Sequence, residues 1–223
     1  MINRIVHFKK ITSTNDYLKD HYEEDSGLLV YSDFQTSGKG RRGNRWESQR
    51  SKNLMFSFLL KNPELTQQEL MMKVTIALIN TLEEYGLKGH IKLPNDILVN
   101  NKKLSGVLIE SIYRDKNVYT IVGIGLNVNQ IMDQNRTSIK QELMQSVHRK
   151  SVLLKFISYY NLIDKPKFEI FKDRVLIPKL VRYQDSAYEW VDFNQNWQAF
   201  IRKDDKTKIV SIEEIEFDYT LYL

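Results

Sequence analysis

Two apolar, β-prone runs, residues 28–34 and 54–60, are joined by a polar stretch, 35–52, that carries Gly38, Gly40 and Gly43 and has Trp46 as its one large apolar side chain. A connection of that length with no helix or strand pattern of its own is uncommon inside a compact domain, and where it occurs it is a functional loop or a disordered linker. The stretch also holds the charge. Lys39, Arg41, Arg42, Arg45, Arg50 and Lys52 stand against Glu47 alone, and the local excess of five equals the net charge of the 223-residue chain. Glycines between cations let backbone N–H groups approach an anion closely, which points to a bound phosphate or carboxylate. A solvated basic loop is the plain alternative.

The rest of the composition is that of an ordinary globular protein, 42% hydrophobic and 27% charged. Without cysteine, the chain has no disulfides, thiolate metal sites, iron–sulfur clusters or cysteine nucleophile. Residues 1–10 contain no apolar signal region, and no run of about 18 apolar residues spans a bilayer. A cytoplasmic protein with no membrane partner is expected, and no metal site is expected in the chain itself.

Local patterning predicts strands at 2–8, 28–34 and 54–60, and a helix capped by Ser13 with Asp16 three residues on. A second helix opens on the capping box Thr66 and Glu69, shows Leu70, Val74, Ala77, Leu78 and Leu82 on one face, and ends at Gly86. Runs 91–99, 104–113 and 118–128 read as an antiparallel meander and 142–160 as a helix. Pro166 and Pro178 mark a boundary between about 164 and 185, and 189–193, 197–202 and 209–217 read as short strands. The fold expected is α+β: a mixed, largely antiparallel sheet with helices packed on one side in residues 1–170, then a small C-terminal β domain in 171–223.

Residues 38–43 formally match G-x-G-x-x-G, but no helix follows: Asn44, Arg45 and Trp46 lead to a strand, which is the wrong context for a dinucleotide site. A Walker A loop fails as well, because Asn44 stands where its lysine belongs. Farther on, Lys92 lies at an apolar strand start before Pro94, Asn95 and Asp96. A lysine buried there without an anion is costly, although a snorkelling lysine beside a common turn fits the same residues.

Read together, these segments resemble the biotin protein ligases over roughly residues 13–129. The resemblance rests on Ser13-Thr14-Asn15, the run from Gln35 to Trp46, Asn53-Leu54, Lys92-Leu93-Pro94-Asn95-Asp96, the run from Lys103 to Glu110, and the run from Gly123 to Asn129. It implies a class II synthetase-like catalytic domain with a reduced, SH3-like C-terminal β domain. It also implies an activity, in which biotin and MgATP give biotinyl-5′-AMP and pyrophosphate, and a lysine of a biotin carboxyl carrier protein then takes the biotin. ATP and Mg2+ would be the co-substrate and its ion.

By the same resemblance, Lys92 and Arg41 are the catalytic residues, with Lys92 at the biotin carboxylate and α-phosphate. Ser13, Thr14, Asn15, Gln35, Lys39, Gly40, Arg41 and Lys92 would hold biotin; Gly38, Gly43, Trp46, Gly106 and Asn127 would hold the adenylate. Without it, Ser13 and Thr14 are helix-capping residues, Trp46 an anchor for its loop, and the strand glycines bulge markers. A fixed lysine and a cationic loop suit the chemistry, since carboxylate attack on a phosphate brings two anions together.

The chain departs from the family pattern at Lys39 and Asn44, where arginine is usual, and at Leu93, where tryptophan is usual. The first strand begins almost at Met1, so the short form without an N-terminal DNA-binding domain is expected, acting as a monomer or homodimer. A lipoate or octanoate ligase or transferase of the same superfamily is the enzymatic alternative, and it requires an apolar tunnel. A basic nucleic-acid-binding module is the alternative of another class.

Overall fold

The computed structural model describes residues 1–23 and 26–217, so the last six residues of the expected 171–223 region lie outside it. The run read as a strand at 54–60 is buried at every position, which requires a layer on each of its faces. Seven strands form the large sheet: β1 (Arg4–Phe8), β2 (Leu28–Ser32), β3 (Leu54–Lys61), β4 (His90–Lys92), β5 (Asp96–Val99), β6 (Lys102–Arg114) and β7 (Asn117–Leu126). Their order is β1-β2-β3-β7-β6-β5-β4; β1 and β2 are parallel and every other neighbouring pair is antiparallel.

Helices α2 (Gln67–Glu83) and α4 (Arg149–Leu162) cover one face, where Phe56 meets Phe156 at 5.1 Å and Phe58 meets Tyr160 at 4.8 Å between ring centres. The expectation of helices on one side holds for these two. Helix α1 (Thr14–Asp20) lies over the other face, its Leu18 buried with Leu28, Val30, Leu59 and Ile121. Period-2 alternation explains the split: Leu29 and Phe58 turn one way, Leu28 and Leu59 the other.

Two expected elements are subdivided. The run 91–99 is a hairpin rather than one strand, because the chain turns at Leu93-Pro94-Asn95 and β4 pairs antiparallel with β5. The expected helix 142–160 is two, α3 (Ile139–Leu143) and α4, parted where Met144 adopts φ 56°. By contrast, the turn at Asn100-Asn101 takes positive φ at both residues, as the two-residue hairpin between β5 and β6 requires.

Strands β8 (Leu180–Tyr183), β9 (Ser186–Phe193), β10 (Gln198–Lys203), β11 (Lys206–Ser211) and β12 (Glu216–Phe217) form a second, antiparallel sheet in the order β11-β10-β9-β8-β12. The expected boundary at 170/171 falls inside α5 (Phe168–Lys172). Phe171 of that helix packs against Phe193 and Trp197, so one apolar core continues from the large sheet into the small one.

Candidate active site

Helix α1 begins over the glycine-bearing strands of the large sheet. Ser13 caps it, its hydroxyl accepting from the Asp16 N–H, and this places Thr14 and Asn15 in the first turn, both buried. The Thr14 N–H donates to Gln35 Oε1 at 2.6 Å, which fixes the orientation of that carboxamide. Asn15 Nδ2 donates to Glu110 Oε2 at 2.8 Å, which fixes the other. Between them lies Ser57 of β3, wholly buried, its hydroxyl 2.6 Å from Thr14 Oγ1 and 2.5 Å from Asn15 Oδ1. Thr14 Oγ1 is also 3.0 Å from Gln35 Oε1. Two hydroxyl protons thus serve three oxygen–oxygen contacts, so the network is richer in acceptors than in donors.

Part of the floor beside this network is bare backbone, between the side chains of Met55 and Leu108. Gly123 and Gly125 of β7 and Gly106 of β6 face α1, and Gly106 pairs with Gly125. A Cβ on Gly123 would overlap the Asn15 carboxamide, and one on Gly125 would overlap the Trp46 ring, which lies over that strand. Trp46 is therefore both a loop anchor and a wall, and Lys103 Nζ stands 5.8 Å from its ring centre. Lys103 also pairs with Asp96 at 2.7 Å.

The basic stretch closes over the floor as a small hairpin. The Trp46 N–H donates to Gly38 O at 3.0 Å and the Gly40 N–H to Asn44 O at 2.8 Å; a 3-10 turn at Arg41–Gly43 reverses the chain with Arg42 at φ 53° and Gly43 at φ 78°. Its cations are engaged within the molecule. Lys39 pairs with Asp16 at 2.7 Å, and that hydrogen bond raises the ammonium above its ordinary pKa. Arg41 donates to Asn95 Oδ1 at 3.2 Å and to the Glu213 carboxylate, while Arg42 donates to Glu213 O at 2.9 Å.

A cavity of about 210 Å³ lies inside the hairpin, and a more open one of about 800 Å³ lies outside it. Ser13, Thr14, Asn15, Gln35, Lys39, Gly40, Arg41, Trp46 and Gly106 line the inner cavity. Gly38 and Gly43 line the outer one, where Lys39, Gly40 and Arg41 recur. Lys92 and Asn127 line neither. Lys92 is half-buried on β4 directly opposite Asp96, and cross-strand partners project to one face, so it shares the cavity side of the hairpin with an Asp96 that does line the wall. Asn127 is buried, accepting from Asn53 Nδ2 at 3.3 Å while its own N–H donates to Leu104 O.

Sequence reasoning overlooked Ser57, Gly123, Asn95 and Glu110 as members of this site. Ser57 had a local signal, a lone hydroxyl in an otherwise apolar strand. Among the described residues no three His, Cys, Asp or Glu side chains gather as metal ligands, and no helix is long and apolar enough to cross a membrane.

The sequence profile of the biotin/lipoate A/B protein ligase family matches residues 7–127, more than half of the chain. The chain belongs to that family. Among similar proteins, biotin–protein ligase 2 of Arabidopsis thaliana is 30% identical over 215 residues, covering 91% of this chain and 64% of its own. The bifunctional ligase/repressor BirA of Bacillus subtilis is 35% identical over 139 residues, covering 57% and 42%. The chain thus spans about half the length of these family members. A biotin protein ligase from Aquifex aeolicus, solved in complex with biotin and ATP, superposes with a TM-score of 0.81 at 27% identity over 96% of this chain and 97% of that one. This ligase family's fold therefore extends through both sheets described above.

Proposed function

We propose that the chain is a biotin–protein ligase, which activates biotin with MgATP as biotinyl-5′-AMP and transfers it to a lysine of a biotin carboxyl carrier protein. The observation that carries this reading is the acceptor-rich network of Thr14, Gln35, Ser57 and Asn15 at the inner end of a cavity closed by a cationic glycine hairpin. A cyclic urea offers N–H donors to such a network, and a site that leaves them unpaired forfeits affinity. A lipoyl or octanoyl chain has none to offer.

In the first step the biotin carboxylate oxygen attacks the α-phosphorus of ATP, the P–O bond to the β-phosphate breaks, and pyrophosphate leaves. Arg41, Lys39 and the hairpin N–H groups would stabilise the gathered negative charge, and Lys92, on the cavity side of its hairpin, would do the same once the ligands are seated. Mg2+ would enter as the ion of the nucleotide; among the described residues Asp96 is the one carboxylate lining the inner cavity, held by Lys103. In the second step a carrier lysine attacks the acyl carbon and AMP leaves. Gly38, Gly43, Trp46, Gly106 and Asn127 belong to the adenylate side of this reading, and cytoplasmic residence goes with it.

ATP–pyrophosphate exchange tests the proposal. Exchange that requires biotin and is lost in Lys92→Ala supports it; exchange stimulated by lipoate alone would transfer the chain to the other branch of its family.

A further inference from the structure

Among the described residues, Glu213, in the turn between β11 and β12, hydrogen-bonds to the active-site hairpin. Glu213 sits in a 3-10 turn, Ile212–Glu214, whose root is fixed: Ile212 is wholly buried, its N–H donates to Trp197 O at 3.0 Å, and the Glu213 N–H donates to Ser211 Oγ. From this base the Glu213 carboxylate accepts from Arg41 Nη2, and its main-chain oxygen accepts from Arg42 Nη2 at 2.9 Å. On its other arm Arg41 donates from Nη1 to Asn95 Oδ1, and Asn95 is itself held by donating Nδ2 to Val107 O at 2.8 Å.

We propose that Glu213 is a positioning residue for adenylation: it holds the Arg41 fork between the second sheet and the β4–β5 turn so that the guanidinium meets the phosphate already oriented. The inference rests on the ligase reading. A planar guanidinium gripped at two of its five N–H groups has its plane set and keeps three donors for an anion. Orienting it beforehand removes reorganisation from the reacting complex. Stability is a poor explanation for the contact. The Glu213 side chain is 51% exposed, and an ion pair at that exposure adds little to folding. Arg41 meanwhile lines the inner cavity, the outer cavity and a third of about 250 Å³ between the two sheets, so its position bears on the site from every side.

The test compares the full-length wild type with Glu213→Ala and Glu213→Gln, the latter keeping an acceptor without the charge. In the free proteins, Glu213→Ala should speed tryptic cleavage after Arg41 and Arg42 by about fivefold, with the melting temperature shifted by less than about 2 °C. In biotin-dependent exchange its KM for ATP should rise about tenfold while biotin binding without ATP changes less than about twofold, and Glu213→Gln should recover much of the loss. Unchanged cleavage would overturn the proposal. So would tighter ATP binding in Glu213→Ala, which would make the carboxylate a competitor of the nucleotide, or a loss of stability that drags every parameter down together. Should the wild type show no biotin-dependent exchange, the ligase reading fails, and the cleavage comparison still decides whether Glu213 holds the hairpin.

Discussion

A single methyl group is enough to probe the floor of the site. Because a Cβ at position 123 would overlap Asn15, Gly123→Ala should displace that carboxamide and weaken biotin binding at least about tenfold, at an overpacking cost of about 1–3 kcal/mol, read by calorimetric titration and denaturant melts. A second residue-scale expectation concerns Asp33, which bridges His7 of β1 at 3.2 Å and Arg149 of α4 at 2.6 Å. Burial alone would raise its pKa, but hydrogen bonds and charge from Arg149 and then His7 outweigh that and hold it below the ordinary carboxylate value. A lowered pKa stabilises the fold above the ordinary carboxylate range, and the contribution fades as pH drops below about 4 through the folded-state value. Asp33→Asn should therefore cost about 1 kcal/mol at pH 7 and flatten the acid limb of a melting-temperature profile. Such single residues were unevenly legible. Ser13 declared itself because a cap and the N–H that donates to it lie three positions apart, whereas Ser57 finds its partners 42 and 43 positions away, a separation no local pattern encodes.

Elements whose signals are local emerged where the sequence placed them. Thr66 and Glu69 make both bonds of the capping box at the start of α2, so Thr66→Ala should lower stability by about 1 kcal/mol in urea melts without altering exchange kinetics. The β4–β5 hairpin was only half legible: Pro94, Asn95 and Asp96 fit a common turn, but Ile91, Leu93, Ile97 and Val99 fall on alternate positions to either side of it, so 91–99 also reads as one strand. Likewise α1 on the far face follows from β3 being covered on both sides, which a run of seven apolar or small residues signals, but not from any feature of α1 itself. Family resemblance located the basic hairpin and the Lys92 turn as neighbours; the Arg41–Asn95 bond is the contact that joins them.

At the scale of the molecule, two sheets share one core and meet again at Glu213, so the small sheet is integral to the fold and adjoins the site. Strands near 189–193 and 197–202 were readable from the tail, while β8, the break of 209–217 by the Ile212–Glu214 turn, and the closeness of Glu213 to Arg41, 172 positions away in sequence, were not. The most direct measurement of the proposed activity is the mass of a purified apo carrier domain after incubation with this protein, MgATP and an equimolar mixture of biotin, lipoate and octanoate. The expected result is one added biotinyl group on the carrier lysine, dependent on ATP. A carrier that gains a lipoyl or octanoyl group instead, or that stays unmodified while a control ligase labels it, would contradict the reading of this site as one built for biotin.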